Sequence, residues 1–315
     1  MRSCVASERS GLRNMQTANI LMCANAEYAQ HLAVALVSLL ENNDWGYFNI
    51  VVVGSKGLVD ESEKIRNSLG KYKHFEIEFR IRVDDEDTVL PLNKHYSVDN
   101  YSRIWVEKYF PENTARVLYL DSDLIVVGSI MKLYNYDIGD NVVGAVSIAG
   151  SDRSSLLEVP VEFGYFNSGV ILIDLEKWRN EDVFSRLITY IRGNADKLID
   201  ADQDALNACL YDQRCPLDYV WNVISPYYWD EWQSELSTED LRRIRRNARI
   251  VHFNGASKPW SFHNRHPRKT DYYKYLSLTE WKDFVPTDQT PLDRLKYAAA
   301  STLPLPIVRM LQRLF

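Results

Sequence analysis

Two carboxylates, those of Asp121 and Asp123, stand one residue apart directly after an apolar run at residues 116–120. Such a run predicts a buried strand. Because side chains two apart on an extended chain point the same way, both carboxylates can reach one point beyond the strand end. Their mutual repulsion favours a cation between them, and carboxylate oxygens are ligands that Mg²⁺ and Mn²⁺ accept. The spacing therefore indicates either a metal that bridges to a phosphate-bearing ligand or a strand that ends in two solvated acids.

A second group of reactive side chains follows a short strand predicted at residues 249–253. His252, Gly255, Lys258 and Trp260 lie within nine residues there. Taken alone, a histidine at the end of a strand is more often a structural residue than a metal ligand. The sequence pattern by itself leaves both roles open for His252.

An arginine-rich helix is predicted just before this strand, at Thr238–Asn247. It carries Arg242, Arg243, Arg245 and Arg246. These arginines form either a solvated helix face or a contact surface for an anionic acceptor.

The elements that must position these groups alternate between strands and helices. This alternation predicts an α/β fold with a mostly parallel central sheet and helices on both faces. Ligands bind such sheets outside the carboxyl ends of the strands, where a turn at residues 25–28 and the two aspartates both fall. The predicted strands are residues 19–24, 48–53, Phe75–Ile81, 142–147 and Phe166–Asp174. The predicted helices are Ala29–Glu41, residues 60–69 with Asp60 near the N-cap, residues 99–110, Leu175–Asn180, residues 182–192 and a helix that starts near residue 202.

Composition narrows the class of protein. The chain has 315 residues, 46% of them hydrophobic, which is ample material for a core. The net charge of −6 argues against nucleic acid as a partner. The four cysteines show no metal-binding spacing, and no apolar run approaches the roughly 18 residues of a membrane span. Reduced thiols in a cytoplasmic protein are the simplest expectation.

Three regions of the chain are expected to differ in character. Residues 1–17 are predicted to be a disordered leader, residues 18–285 a catalytic domain with a Ser-rich flexible connection at 149–162, and residues 286–315 a helical tail. Leucines interleaved with Arg294, Lys296, Arg309 and Arg313 make this tail basic and amphipathic. It would either lie on an anionic membrane surface or dock on the domain.

Together these motifs resemble glycosyltransferase family 8, and in particular its bacterial members that extend lipopolysaccharide with galactose or glucose. The matching stretches are VLYLDSDLIV, YFNSGVILIDLEKW, DADQDALN and VHFNGASKPW, in family order, with ILMCANAEYAQHLAVALVSL at the start. The resemblance covers roughly residues 18–285. It implies a Rossmann-like, glycosyltransferase A-type domain that binds a nucleotide sugar.

The resemblance also implies roles for individual residues. Asp121, Asp123 and His252 would hold Mn²⁺, or alternatively Mg²⁺, between the two phosphates of a UDP-sugar. Tyr28 would stack on the uracil, and Asn25, which replaces an aspartate of the family pattern, can still accept from the uracil N3–H. Gly255 and Lys258 would contact the diphosphate. Four residues would surround the sugar: Arg103, Asn167, Asp202 and Gln203. The full set expected around the nucleotide sugar is Cys23, Asn25, Tyr28, His95, Arg103, Asp121, Ser122, Asn167, Asp202, Gln203, Gly255 and Lys258.

Family 8 enzymes retain the anomeric configuration, and the resemblance assigns catalysis to Gln203, Asp202 and Arg103. Retention in hydrolases uses a carboxylate nucleophile. Gln203 is a poor nucleophile, so the expected route is a front-face attack through a short-lived ion pair. In this route the departing phosphate oxygen takes the acceptor proton, and Asp202 binds sugar hydroxyls.

The function expected from the sequence is a retaining, metal-dependent hexosyltransferase that uses UDP-galactose or UDP-glucose. Its acceptor would be a saccharide or glycolipid of the lipopolysaccharide type, at the cytoplasmic face of the inner membrane. The alternatives are a UDP-sugar hydrolase, a transferase that acts on a protein or on a primer tyrosine of its own, and a non-catalytic nucleotide-sugar binder. UDP release with and without acceptor discriminates among them.

Overall fold

Ten strands form two sheets in the computed structural model, which describes residues 16–82, 98–229 and 235–290. The larger sheet has the order β3-β2-β1-β4-β7-β6-β8, and the smaller one has the order β5-β10-β9. The strands are β1 (Gln16–Ala24), β2 (Gly46–Gly54), β3 (Phe75–Ile81), β4 (Arg116–Asp121), β5 (Leu124–Val126), β6 (Val143–Ser147), β7 (Phe166–Asp174), β8 (Arg214–Pro216), β9 (Val223–Ile224) and β10 (Ile250–His252).

The large sheet is mostly parallel, as predicted, but β7 runs against its neighbours. β7 pairs antiparallel with both β4 and β6, whereas β1, β2, β3 and β4 are parallel to one another. The beginning of β7 therefore lies at the edge where the parallel strands end. Leu120 pairs with Val170, which brings Asp121 next to Gly169 at that edge.

Helices cover the sheet, and three 3₁₀ segments contain or directly precede residues of the site. The α-helices are α1 (Ala29–Glu41), α2 (Lys56–Asp60), α3 (Ser62–Ser68), α4 (Val106–Tyr109), α5 (Met131–Tyr134), α6 (Arg153–Leu156), α7 (Leu175–Asn180), α8 (Val183–Gly193), α9 (Ala201–Leu210), α10 (Thr238–Asn247) and α11 (Lys269–Leu276). The 3₁₀ segments are Ala26–Tyr28, Val98–Trp105 and Tyr219–Trp221, with further ones at Val161–Phe163, Tyr211–Gln213 and Ser225–Tyr228.

Apolar side chains cover both faces of the large sheet. Ile20 and Met22 of β1 pack in one core with α1, whereas Leu21 packs in a second core with Val51 and Trp178. Side chains that alternate along β1 thus enter opposite layers, as expected for a sheet with helices on both faces. Within the ranges that the structure describes, no helix is long and apolar enough to cross a membrane.

Most predicted elements are confirmed, and several details differ. Asp60 ends α2 instead of capping the next helix, because α3 begins after Glu61. The helix predicted at residues 99–110 is mainly the 3₁₀ segment Val98–Trp105, followed by the single turn α4. The connection at 149–162 is not irregular throughout, since it contains α6. β1 already begins at Gln16, inside the predicted leader, while residues 1–15 and the tail from 291 lie outside the described residues.

Candidate active site

Asp121, Asp123 and His252 converge at the carboxyl edge of the large sheet. One ligand atom from each lies within 4.8 Å of the others. The Nε2 atom of His252 is 3.1 Å from Oδ1 of Asp123 and 3.5 Å from Oδ2 of Asp121. His252 is only 2% exposed, whereas the two carboxylates remain open to ligand. The three groups that the resemblance assigned to a metal are therefore brought together.

The two aspartates meet across a turn. Asp121 is the last residue of β4, and Ser122 and Asp123 form a turn before β5 begins. The expectation that an extended chain would align the carboxylates is therefore wrong in its reason. A turn brings Asp123 back beside Asp121 because the chain leaves one sheet and enters the other at this point.

The pairing of β5 with β10 brings the histidine to the aspartates. His252 pairs with Leu124, and the backbone N–H of Phe253 donates to the carbonyl oxygen of Asp123 at 3.0 Å. The small sheet thus brings His252, which lies far along the sequence, to the end of β4.

A glycine at the start of β7 makes room for this cluster. A Cβ atom at Gly169 would lie 2.2 Å from Cε1 of His252 and 2.7 Å from Oδ2 of Asp121. No side chain can occupy such a position without displacing one of the candidate ligands. The reversed direction of β7 places this glycine beside the end of β4.

Tyr119 and Arg103 hold Asp121 in place. The Tyr119 hydroxyl donates to Oδ1 of Asp121 at 2.6 Å, and Nη2 of Arg103 is 3.2 Å from the same oxygen. The guanidinium also lies over the Tyr119 ring, 4.3 Å from its centroid. Oδ2 of Asp121 is left to face His252. The carboxylate is thus oriented before any ligand binds.

Lys258 neutralises Asp123. Its Nζ lies 2.5 Å from Oδ2 of Asp123 and donates to the Phe253 carbonyl oxygen at 2.8 Å. Burial alone would raise the pKa of the Asp123 carboxyl, but Lys258 and His252 outweigh burial and hold it well below the ordinary value. Gly255, with a φ of +83°, turns the loop that carries this lysine. Lys258 therefore stands beside the candidate metal ligands, where a diphosphate would also lie.

Asp202 lies on the other side of Arg103. The Nε atom of Arg103 is 2.5 Å from Oδ2 of Asp202, and Nη1 donates to the Ser168 carbonyl oxygen at 2.6 Å. Burial raises the pKa of Asp202 to about 7, although Arg103 opposes the shift. Burial also lowers the pKa of Arg103, but Asp121 and Asp202 reverse this, so the guanidinium stays charged. Arg103 thus links the candidate metal ligands to Asp202.

The Gln203 side chain is held at both ends of its amide. Its Oε1 accepts from Nδ2 of Asn167 at 3.0 Å, from the Ser168 N–H at 2.9 Å and from the Ser168 hydroxyl at 3.3 Å. Its Nε2 donates to the Tyr165 hydroxyl at 2.9 Å. The orientation of the amide is therefore determined by its surroundings.

A buried carboxylate, that of Asp204, is linked to Gln203 through the hydroxyl of Tyr165. Asp204 is fully buried and accepts from the Tyr165 hydroxyl at 2.7 Å, from Arg153 and from the backbone N–H groups of Ile199 and Asp200. Because a carboxylate only accepts, the Tyr165 hydrogen must point at Asp204. The Tyr165 oxygen is then available to Gln203.

The residues expected to bind uracil lie at the end of β1. Oδ1 of Asn25 accepts from the Tyr28 N–H at 3.1 Å, which caps the 3₁₀ segment Ala26–Tyr28 and leaves one lone pair for a ligand. The half-buried Tyr28 ring packs edge-on against His31 and Trp260. Cys23 pairs with Asp121 on the neighbouring strand. It therefore lies between the carboxylates and the residues expected to bind uracil, Asn25 and Tyr28.

The donor set fits a divalent cation of the Mn²⁺ or Mg²⁺ type. Two carboxylates and one imidazole offer oxygen and nitrogen ligands, the set that Mn²⁺ accepts more readily than Ca²⁺ does. A glycine at position 169 lets His252 and Asp121 keep their places, because any Cβ there would collide with both. Asp121, Asp123 and His252 would hold the ion, and Tyr119, Arg103 and Lys258 surround them.

Most of the residues predicted for the site are thus close to one another, and some supporting residues were not predicted. His95 lies outside the described residues, and Ser122 is buried within the turn. Five supporting residues lie inside the quoted motifs, so their roles could have been considered: Tyr119, Tyr165, Ser168, Gly169 and Asp204. Asn222 and Arg153 lie outside the motifs, and only their contacts reveal their supporting roles.

The arginine-rich helix α10 is docked on the domain. Arg243 is paired with Asp218 at 3.1 Å, and Nε of Arg245 donates to the Tyr227 carbonyl oxygen at 2.5 Å. Arg242 and Arg246 are exposed, which agrees with a partly solvated face.

Three comparisons show which known proteins this chain is similar to. Residues 19–264 match the family model described as Glycosyl transferase family 8. General stress protein A of Bacillus subtilis (strain 168) is 33% identical over 280 residues, which are 86% of this chain and 96% of that protein. Lipopolysaccharide 1,3-galactosyltransferase of Salmonella typhimurium is 28% identical over 218 residues, which are 67% of this chain and 63% of that protein.

A solved structure shares the fold over nearly its whole length. The galactosyltransferase LgtC, crystallised in complex with donor and acceptor sugar analogues, superposes with a TM-score of 0.71 at 25% identity. The match covers 86% of this chain and 98% of that one. The match to the family model includes every site residue described above, from Cys23 to Lys258.

Proposed function

This chain belongs to glycosyltransferase family 8, and from that premise we propose that it transfers galactose or glucose from a UDP-sugar to a glycan, with retention and with a divalent metal. One observation carries the proposal: Asp121, Asp123 and His252 converge within 4.8 Å at the carboxyl edge of the sheet. Lys258 and Arg103 add positive charge beside them. The names of the lipopolysaccharide galactosyltransferase and of LgtC support a hexose donor.

The leaving group of this reaction is a nucleoside diphosphate, on which negative charge builds as the sugar bond breaks. Mn²⁺ or Mg²⁺ bound by the three ligands would supply Lewis acidity to that diphosphate. Lys258 would exchange its contact with Asp123 for one with a phosphate oxygen, and its charge stabilises the departing group. Gly255 gives the loop the backbone conformation that this contact needs. At the other end Tyr28 would stack on uracil while Asn25 accepts from it.

The sugar would lie between Arg103, Asn167, Asp202 and Gln203. Oε1 of Gln203 already accepts from Asn167 and Ser168. An amide oxygen engaged in this way is a still weaker nucleophile than a free amide. We therefore propose that the acceptor hydroxyl attacks on the face that the diphosphate leaves, and that its proton passes to the departing phosphate oxygen. Asp202 and Gln203 then bind and orient the sugar without forming a bond to it.

The proposed acceptor is a saccharide or glycolipid, of the lipopolysaccharide type in a bacterium that makes one. The relatives named for lipopolysaccharide galactosyl- and glucosyltransferase activity support this class. We propose that the protein works at the cytoplasmic face of the inner membrane and that the tail from residue 286 contacts anionic lipid there. Residues 291–315 of this tail lie outside the described residues, and this proposal rests on their sequence.

Release of UDP from UDP-galactose and UDP-glucose tests the proposal, with Mn²⁺ or EDTA and with or without a lipooligosaccharide acceptor. We expect release that needs both Mn²⁺ and acceptor and that occurs with one of the two donors. Release that is equal without acceptor would identify a hydrolase, and no release in any combination would contradict the enzymatic proposal.

A further inference from the structure

A continuous chain of hydrogen bonds joins the donor-sugar side of the site to the candidate metal ligand His252. Main-chain donors set the direction of this chain at two points. The Ser168 N–H can only donate, so the Gln203 atom that it contacts at 2.9 Å is the oxygen. The Gly169 N–H likewise donates to Oδ1 of Asn167 at 3.0 Å, which places Nδ2 of Asn167 toward Gln203.

Asn222 continues the chain from Asn167 to His252. It is fully buried and follows the 3₁₀ segment Tyr219–Trp221. Because Oδ1 of Asn167 is an acceptor, the Asn222 atom 2.8 Å from it must be Nδ2. Oδ1 of Asn222 then faces Nδ1 of His252 at 3.0 Å. Two acceptors would repel at this distance, so Nδ1 of His252 must carry a hydrogen.

The consequence falls on the other ring nitrogen of His252. When Nδ1 carries the hydrogen of the neutral ring, Nε2 presents its lone pair to the space shared with Asp121 and Asp123. This lone pair faces two carboxylate oxygens at 3.1 and 3.5 Å, and a cation bound between them would turn their mutual repulsion into coordination. The chain therefore prepares His252 as a ligand before the ion arrives.

We propose that Asn222 is the positioning residue of this site: it selects the Nδ1–H tautomer of His252 and ties that ring to Asn167 and Gln203. The proposal rests on the proposed function only in that a divalent metal binds Asp121, Asp123 and His252. The Asn222 side chain contacts Asn167 and His252, and it is not one of the three candidate metal ligands. Its role is to couple the orientation of the metal ligand to that of the side chains around the donor sugar.

The environment leaves little freedom for the alternative tautomer. Asn222 and His252 are 0% and 2% exposed, so water cannot readily replace a lost partner. The far end of the chain is anchored as well, since the Tyr165 hydroxyl donates to Asp204 and accepts from Gln203. A hydrogen-bonded outer partner that fixes ring orientation is worth about 10- to 100-fold in metal affinity.

The tautomer can be observed directly in the wild-type protein. Long-range ¹H–¹⁵N correlation spectra of the metal-free full chain, labelled in its six histidines, distinguish Nδ1–H from Nε2–H rings. The spectra are taken well above the ordinary histidine pKa of about 6.5. His252→Gln identifies the signal. We expect Nδ1–H for His252, and Nε2–H would overturn the proposal without any variant of Asn222.

Asn222→Ala tests the link to the metal. Without Asn222 the ring can donate from Nε2 to Asp123, so we expect the Nε2–H tautomer and Mn²⁺ affinity weaker by about 10- to 100-fold. Asn43→Ala is the matched control, since Asn43 is also buried with both amide atoms hydrogen-bonded, but to Leu39, Trp45 and Ile130. It should lower the melting temperature and leave Mn²⁺ affinity unchanged.

The outcomes separate this inference from the proposed function. Wild-type protein that binds no Mn²⁺ would contradict the proposed metal site, and the spectra of the metal-free protein would still decide the tautomer. Wild-type protein that binds Mn²⁺, together with Asn222→Ala that binds it equally well, would overturn the role of Asn222 alone.

Discussion

The Nε2 atom of His252 lies 3.1 Å from Oδ1 of Asp123, although 129 positions separate the two residues in the chain. The contact exists because β10 pairs with β5 and β5 follows Asp123 directly. The short sheet β5-β10-β9 therefore does more than extend the fold. It completes a three-ligand site whose other two members are the last residue of the central strand β4 and a residue of the turn that follows.

Asp123→Asn should strongly weaken Mn²⁺ binding without unfolding the domain. The substitution removes one anionic ligand and keeps the size of the side chain, so Mn²⁺ affinity should fall by roughly 100-fold or more, beyond the loss expected for an outer partner. Isothermal titration with MnCl₂ measures the change, and circular dichroism checks the fold. Asp140→Asn, at an exposed position, is the control. Normal Mn²⁺ binding by Asp123→Asn would show that the ligand assignment is wrong.

Gly169→Ala should damage the site more than the sheet. The new Cβ would lie 2.2 Å from Cε1 of His252 and 2.7 Å from Oδ2 of Asp121, so one ligand must move. We expect loss of most Mn²⁺-dependent binding of UDP-sugar, measured by thermal shift. Gly193→Ala meets nothing within 4 Å and should behave like the wild type. If both variants bind UDP-sugar equally, the close approach of Gly169 to His252 and Asp121 is not needed for ligand binding.

Asp204→Ala should destabilise the protein by about 3 kcal/mol or more, because it removes a fully buried carboxylate that pairs with the half-buried Arg153 and accepts several hydrogen bonds. The Tyr165 hydroxyl and the N–H groups of Ile199 and Asp200 also lose their acceptor. Urea unfolding measures the loss, with the exposed Asp196→Ala as control. A loss no larger than that of the control would mean that this buried carboxylate is dispensable.

His31 should make the folded state sensitive to acid. Burial lowers its pKa to about 3, and its ring stacks on Trp260 with centroids 3.4 Å apart. The unfolded chain takes up this proton near the ordinary pKa, so the stability is fully present above about pH 6.5 and is lost as pH falls toward 3. Between about pH 7 and about pH 5 the contribution amounts to about 2 kcal/mol.

Urea unfolding of the wild type and of His31→Gln at these two pH values measures this contribution. The wild type should lose about 2 kcal/mol more than the variant over the interval, because glutamine does not titrate. Equal losses in the two proteins would contradict the assignment of a neutral, buried His31.

Sequence patterns predicted the elements better than their arrangement. The bounds of Ala29–Glu41 and Phe166–Asp174 are confirmed because their apolar runs are long and their ends are marked by polar residues. The reversed direction of β7 left no signal, since a fully buried strand has the same pattern in either direction. The sequence predicts Asp60 at a helix start because aspartate favours that position, yet the short helix α2 ends at Asp60.

The site shows the same division. Asp121 and Asp123 can be recognised from local spacing, whereas the local pattern leaves the role of His252 open. The resemblance to family 8 assigns His252 to the metal, and the pairing of β10 with β5 brings it to the aspartates. Asn222 follows the segment Tyr219–Trp221 without any motif of its own. Its role depends entirely on hydrogen bonds to residues far along the chain, Asn167 and His252. A role of this kind arises only in the folded protein and cannot be predicted from a local sequence pattern.

The most direct test of the central claim is a thermal-shift titration of the full chain with UDP-galactose and UDP-glucose, each with Mn²⁺ or with EDTA. A ligand that binds only the native state raises the melting temperature by mass action. We predict a rise with one UDP-hexose in Mn²⁺ that disappears in EDTA and in Asp123→Asn. No rise with either UDP-sugar in the presence of Mn²⁺ would contradict the account, because Asp121, Asp123 and His252 would then be structural residues only.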